Sequence, residues 1–430
     1  MNIATVPLSA IARPRQRGAA SELHAFDSGR GRHVLVVDGS RIYDVPDGVD
    51  EASLLSTLRR DERAIGDEIP LPPVNALALA ITQRCNLACG YCYADGGHFG
   101  GDDEAPMSWD VARAAVERLL DNTTPGSSAS LAFMGGEPLL NRALLMRTTE
   151  HAAALAAPRG VTMRFALTTN ATLVTPDDAA FLARHRFAVT VSIDGERELH
   201  DALRPTRGGT GSYERIVVRV QPLLAALPVS ARVTVTPRHT ALRATLDHLI
   251  GLGFHSVGFS PSLSAADPRL ALSADDLERL LAQMIDCARE AESRWRRGER
   301  YPFSNLLAAV QELHRGTHRP LPCGAGAGYL GVAADGALSA CHRFVGDPRA
   351  AMGSVATGID DAARRQWLAT RHVDTQEPCR SCWARYLCGG GCHHEVLNRG
   401  RPACDFIRGW LDHCLGAYVR IADERPDLFD

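Results

Sequence analysis

Between about residues 74 and 300, apolar β-rich runs at 77–81, 130–134, 163–167, 188–193, 232–236 and 256–260 alternate with stretches of helical periodicity. Strands separated by helices of ten or more residues form βαβ units, which lay their strands in parallel. Six such units fall short of an eight-fold closure. The expected fold is therefore α/β, a partial (β/α)6 TIM-like barrel over 74–305. In barrels of this kind, chemistry collects at the C-terminal ends of the strands.

The first run leads directly into Cys85-Asn-Leu-Ala-Cys89-Gly-Tyr-Cys92. Soft thiolates suit iron–sulfur clusters or zinc, and three of them hold only three corners of a cubane. The fourth iron is left for a ligand that is not protein. Buried or disulfide-bonded cysteines are the plain alternative. The rest of the composition is that of a large enzyme: 430 residues, 45% hydrophobic, net charge −3. That balance excludes nucleic acid and an anionic membrane as main partners. The short basic runs Arg13-Pro-Arg15-Gln-Arg17 and Arg294-Trp-Arg296-Arg297 read as solvated faces. With no apolar run of about eighteen residues and no signal-peptide pattern, the protein is expected in the cytoplasm.

Disulfides are rare there, so twelve cysteines need another explanation. Cys287, alone in a helical stretch, reads as a small buried hydrophobe. The others are Cys323, Cys341, Cys379, Cys382, Cys388, Cys392, Cys404 and Cys414, besides the opening three. From about 320 the chain turns to short elements, glycines and cysteines, and a segment of that texture is expected to be organised by metal. At the other end, residues 1–70 read as a small α+β segment. In it, strands flank the turn Asp38-Gly39-Ser40 as a hairpin over 33–45, residues 51–61 have helical spacing, and Pro70, Pro72 and Pro73 mark the boundary.

Gly135-Gly136-Glu137-Pro138 follows the second strand, Thr168-Thr169-Asn170 the third, and Ser192-Ile193-Asp194-Gly195 the fourth, with His200, Asp201 and Arg204 next. Each alone is a turn or a cap; together they share one end of successive strands. Cys-x3-Cys-x-Tyr-Cys after the first strand, with these companions, resembles the radical S-adenosylmethionine superfamily. The resemblance implies a [4Fe-4S] cluster on Cys85, Cys89 and Cys92 whose open iron binds S-adenosylmethionine and yields a 5′-deoxyadenosyl radical. It further implies that Gly135, Gly136 and Glu137 approach the cofactor's amino group, that Thr169, Asn170, Ser192 and Asp194 contact its ribose or methionine part, and that Arg204 pairs with its carboxylate.

The second cysteine field resembles the SPASM extension, placed at 320–425. That resemblance implies two auxiliary clusters, three [4Fe-4S] clusters in all. Cys323, Cys341 and Cys392 would serve the first, and Cys379, Cys382 and Cys388 the second. Cys404 and Cys414 would complete the thiolates, one of them at the second cluster, with the assignment open. If the other is not a ligand, the first auxiliary cluster keeps an open iron for a substrate thiolate. Cys379, Cys382, Cys388 and Cys392 taken in isolation also fit tetrahedral zinc. Gly326-x-Gly328-x2-Gly331 matches a dinucleotide fingerprint but opens no long helix, and His393-His394-Glu395 lacks metallopeptidase spacing.

Among enzymes with this extension, sulfatase-activating ones typically carry an acidic residue after the cysteine that precedes the second field; here it is His342. The text from Cys379 to Trp410 resembles maturases of quinohemoprotein amine dehydrogenase and thioether-forming peptide maturases. The expectation is a radical enzyme that installs a thioether, or another intramolecular crosslink, in a ribosomally made peptide or protein subunit. A sulfatase-maturating oxidase that makes formylglycine is the second reading, and an iron–sulfur electron-transfer or scaffold protein the contrasting one. The expected partners are the peptide substrate, an electron donor such as flavodoxin or ferredoxin, and a leader peptide. The hairpin 33–45 would offer that leader an edge strand or would cap the barrel. No catalytic residue is assigned: Asp194, Glu137, Tyr93 and His342 all have structural roles open to them.

Overall fold

Strand β1 (Ala4–Thr5) begins a four-stranded sheet with β2 (Leu23–Asp27), β3 (Arg32–Val36) and β4 (Arg41–Asp44). A computed structural model describes residues 4, 5, 22–49, 58, 64, 65, 69–99 and 106–429; apart from Leu58, the helical reading of 51–61 lies outside them. The sheet order is β1-β4-β3-β2. β3 and β4 are the expected hairpin, with Val36 opposite Arg41 and Gly39 at φ +84° in the turn. Both sides of the hairpin are paired, β3 with β2 and β4 with β1 in parallel.

These strands belong to one of two compact units, made of Met1–Ile69, Ala274–Cys323 and Ala369–Asp430. Its helices Ala274–Arg296 and Ser304–His314 both pack on the last long helix, Cys404–Ile421. The first buries Leu277, Leu280, Met284, Cys287, Ala288, Ala291 and Trp295, a spacing of three and four that gives one apolar stripe. Cys287 therefore sits in a helix core. A Cβ at Gly409 would meet Leu281 Cδ2 at 2.4 Å, so glycine sets how closely the last helix approaches.

The second unit, Pro70–Ser273 with Gly324–Leu368, carries a ten-stranded sheet. Its strands are β5 (Ala76–Thr82), β6 (Ser128–Gly135), β7 (Thr162–Thr169), β8 (Ala188–Ser192), β9 (Val229–Val235), β10 (Ser256–Pro261), β11 (Tyr329–Val332), β12 (Ala337–Ser339), β13 (Ala351–Ser354) and β14 (Gly358–Ile359). From β5 to β10 every neighbour is parallel and next in sequence, which is the expected six-stranded partial barrel. β5 is buried along nearly its whole length because helices and sheet cover both its faces. Each fully buried leucine or phenylalanine there, such as Leu79 or Phe133, contributes about 2 kcal/mol by leaving water.

Caps fix where the intervening helices start. Ser108 accepts from Val111 N–H at the head of Trp109–Asp121, and Thr175 with Asp178 forms a capping box at Pro176–Arg184. Asp178 also receives a two-pronged bond from Arg142 at 2.8 Å on each oxygen. Beyond β5 the sheet continues through β11, parallel to β5, and then through antiparallel β12, β13 and β14. Short elements of the cysteine-rich stretch thus take their core, Leu330, Val332, Leu338 and Met352, from the barrel's own sheet. Gly326 turns into β11, not into a helix, and a Cβ there would lie 2.4 Å from the Trp367 ring. No helix among the described residues is long and apolar enough to cross a membrane.

Candidate functional site

The end of β6 is glycine because the cysteine loop passes against it. A Cβ on Gly135 would sit 2.2 Å from Thr82 O, and one on Gly136 would sit 2.1 Å from Arg84 O, just before Cys85. The contact is hydrogen-bonded: Gly136 N–H donates to Thr82 O at 3.0 Å and Glu137 N–H to Arg84 O at 2.9 Å. β6 and the loop after β5 are therefore one backbone assembly.

Two buried carboxylates brace that assembly. Glu137 accepts from Thr169 Oγ1–H at 2.7 Å, Asn170 N–H at 2.7 Å and Leu139 N–H at 3.0 Å. Burial pushes its carboxyl pKa up, and these donors oppose the shift. Asn170 in turn donates through Nδ2 to Asn86 Oδ1 at 2.9 Å and comes within 3.8 Å of Cys85 Sγ. Leu87 N–H points at the same sulfur from 3.5 Å.

Asp194 is wholly buried and lies behind Cys89. It accepts from Arg204 Nε at 2.8 Å, from Thr234 N–H at 2.9 Å and from the Tyr91 hydroxyl. Although burial alone would raise it, these partners, Arg204 foremost, hold its carboxyl below the usual range. Arg204 Nη1 then lies 3.9 Å from Cys89 Sγ. Two neutral histidines complete the mount. His200 Nδ1 accepts from Asp194 N–H at 3.2 Å, which leaves its other nitrogen to donate to Ser212 Oγ at 3.0 Å, and burial pulls its pKa down to about 4. His239 donates to Asp194 O at 3.1 Å.

The three thiols are close enough that ionising Cys92 raises the pKa of both Cys85 and Cys89. Burial pushes the Cys89 thiol up to about 12, Arg204 pulling against it. A thiolate set there needs a cation, which iron supplies. The donor set thus fits a three-cornered cluster mount. The structure brings Gly135, Gly136, Glu137, Thr169 and Asn170 together on the Cys85 side, and Asp194 with Arg204 on the Cys89 side. Ser192 is half-buried at the end of β8. Beyond Cys92, Tyr93 stacks edgewise on Phe99 and His342 at ring distances of 6.3 and 5.9 Å, under Arg343 at 5.0 Å. His342 Nδ1 is 2.6 Å from the Tyr329 hydroxyl. Asn86, Tyr91, His239 and Tyr329 had no assigned role in the sequence. Only Tyr91 and Asn86, inside the cysteine motif, carried a positional signal.

A second thiol set lies in the other unit. Cys379 feels the charges of Cys388, Cys404 and Cys382, and both Cys388 and Cys404 feel that of Cys382. The structure thus gathers Cys379, Cys382, Cys388 and Cys404. It does not bring Cys414 to them: Cys414 is fully buried on the last helix beside Glu292 and Arg420. Cys323 and Cys392 are exposed in this same unit, whereas Cys341 is buried in the barrel unit. Among the described residues, no three histidine, cysteine or carboxylate side chains converge as around a single ion.

Residues 79–249 match the Radical SAM superfamily. The strands from β5 to β9 and the three-thiol loop are thus a radical S-adenosylmethionine domain, and the chain is an enzyme of that chemistry. It is similar to a serine-type anaerobic sulfatase-maturating enzyme of Klebsiella aerogenes, 27% identical over 380 residues that cover 83% of this chain and 90% of the relative. Its fold is that of native anSMEcpe with bound AdoMet and Cp18Cys peptide, at TM-score 0.67 and 19% identity over 82% of this chain and 99% of that one. Streptococcus suis SuiB bound to precursor peptide SuiA also shares the fold, at TM-score 0.54 and 14% identity over 86% and 94%.

Proposed function

We propose that this enzyme is a peptide or protein maturase that removes hydrogen from a side chain of its substrate. The observation that carries the reading is a three-thiol loop, braced by two buried carboxylates at the C-terminal ends of parallel strands, in a chain that holds a separate four-thiol set. When bound, an iron–sulfur cluster and S-adenosylmethionine supply one electron and a carbon radical able to take hydrogen from an unactivated carbon. Cys85, Cys89 and Cys92 would hold that cluster. Gly135 and Gly136 let the cysteine loop close against the end of β6, and they, Asn170 and Ser192 are the strand-end residues proposed to face the cofactor. Asp194 and Arg204 act as positioning residues, fixing Cys89 through a neutral pair, and Glu137 fixes Asn170 against Cys85. Cys379, Cys382, Cys388 and Cys404 would hold one auxiliary cluster. Cys323, Cys341 and Cys392 remain the ligands proposed for another, on their spacing alone.

The product proposed is a thioether: the substrate carbon gives up its hydrogen, the attacking sulfur of a substrate cysteine gives up its proton, and the one surplus electron would pass to an auxiliary cluster. Formation of formylglycine is the second reading, favoured by the near full-length match to a sulfatase-maturating enzyme. Electrons would come from a flavodoxin or ferredoxin. Anaerobically reconstituted protein should cleave S-adenosylmethionine and, with a co-expressed candidate peptide, remove two hydrogens. A product that has lost a free thiol and ignores hydrazide probes is the crosslink, and one that reacts with hydrazide is the aldehyde. Absence of S-adenosylmethionine cleavage in iron-loaded protein would overturn both.

A further inference from the structure

The charges around the two thiol sets differ. Beside Cys89, the Arg204 guanidinium is neutralised by buried Asp194 at 2.8 Å. Beside the four thiols, Arg401 donates to Gly390 O and Gln376 Oε1, both neutral acceptors, and among the described residues no carboxylate pairs with it. Burial pushes the Cys379 and Cys404 thiols up, and the Arg401 charge opposes that rise at both. The Arg408 charge acts on Cys382 and Cys404, and its counterion Asp405 is 96% exposed, where water screens it.

The backbone adds to this. Gly389, Gly390 and Gly391 run at φ +71°, +94° and +79°, which no side-chain-bearing residue sustains in series. That run brings the Gly390 and Gly391 N–H groups beside Cys388, where they oppose the rise that burial imposes on its thiol. A Cβ on Gly390 would already touch Cys379 Sγ at 4.0 Å. Every sulfur of the set therefore has a cation or an N–H dipole close by.

We infer that Arg401, helped by Arg408 and the Gly390 and Gly391 amides, raises the reduction potential of the four-thiol cluster. The inference rests on the reading that these thiols hold an iron–sulfur cluster. Reduction adds one negative charge to a partly buried site. A cation without a counterion and N–H groups beside sulfur stabilise that added charge, whereas a neutral Arg–Asp pair does so far less. Arg401 is a positioning residue in this scheme: it touches neither substrate nor iron.

The test uses full-length protein with Cys85, Cys89 and Cys92 replaced by alanine, loaded anaerobically with iron and sulfide. Both are counted, and a redox titration is followed by electron paramagnetic resonance. The signal lost in a Cys379→Ala variant belongs to the four-thiol site. Arg401→Gln should lower the reduced-to-oxidised ratio at fixed solution potential about tenfold, a shift of about 59 mV for one electron. Arg401→Lys should stay near the parent, and Arg408→Gln should shift in the same direction by less. Full iron and an unchanged ratio in Arg401→Gln would overturn the inference and leave the cluster intact. A parent with no Cys379-dependent iron and sulfide would instead sink the cluster reading. Should Arg401→Gln lose its iron, Arg408→Gln decides: a lowered ratio supports the inference and an unchanged one overturns it.

Discussion

At the scale of the residue, the consequential group is Asp194, because it holds the Arg204 cation in place behind Cys89, a proposed cluster ligand. Changing it to asparagine leaves Arg204 charged, buried and without its carboxylate, a class of change that costs about 3–5 kcal/mol. Asp194→Asn should therefore lower the denaturant midpoint and lose iron from the three-thiol loop, and iron content with equilibrium unfolding checks both. Retained iron at parental stability would show that the pair is dispensable. His200 gives a pH signature beside it. Its folded pKa, about 4, lies below the unfolded value near 6.5, so between those values the unfolded chain binds more protons. Its contribution is complete above pH 6.5 and is lost as pH falls towards 4. His393 and His413, also held near 4 by burial, act in the same sense. Stability of cluster-free protein should fall over that window, His200 alone accounting for about 3 kcal/mol. His200→Gln should flatten the profile, and an unchanged slope would rule His200 out as its source.

At the scale of the element, legibility followed strand length. The runs that became β5 to β10 have five to eight residues and are largely apolar, and helices of ordinary length separate them, so period and spacing agreed. β11 to β14 escaped notice because they have four residues or fewer. Glycines fall in β11, β13 and β14, and β11 is held as a strand by β5, Gly331 opposite Ala78, and by β12 on its other side. The candidate site divided the same way. Its cysteines and Gly-Gly-Glu were legible because spacing carries them, whereas Arg401 and His239 reach their sulfur and carbonyl through tertiary folding. The β6 terminus tests how tightly elements are joined. Gly136→Ala drives a methyl into Arg84 O at 2.1 Å, a backbone atom that cannot swing aside, at a cost of about 1–3 kcal/mol. The barrel should stay folded while S-adenosylmethionine cleavage falls, since the displaced backbone is the loop after β5 that carries Cys85. Circular dichroism and cleavage assays on the same preparation separate the two effects, and unchanged cleavage would show that the loop absorbs the shift.

At the scale of the whole molecule, the decisive quantity is how many iron atoms the chain retains and which cysteines hold them. The sequence left Cys404 and Cys414 interchangeable, as both lie on one helix in the cysteine-rich stretch. The fold separates them. Cys404 opens that helix among Cys379, Cys382 and Cys388, while Cys414 is nearly three turns further on, buried where the helix packs beside Glu292 and Arg420. Cys404→Ser should therefore lower iron and sulfide by the content of one cluster, with little effect on the three-thiol loop. Cys414→Ser should keep all its iron and lose about 1–2 kcal/mol of stability, the cost of desolvating a hydroxyl at a fully buried position. Parallel iron, sulfide and thermal-unfolding measurements on the two variants check this. The reverse pattern, iron lost with Cys414 and kept without Cys404, would mean that the last helix presents its other face to the cluster. In that case the electrostatic shell around Cys379 and Cys382 would lose its metal-holding rationale.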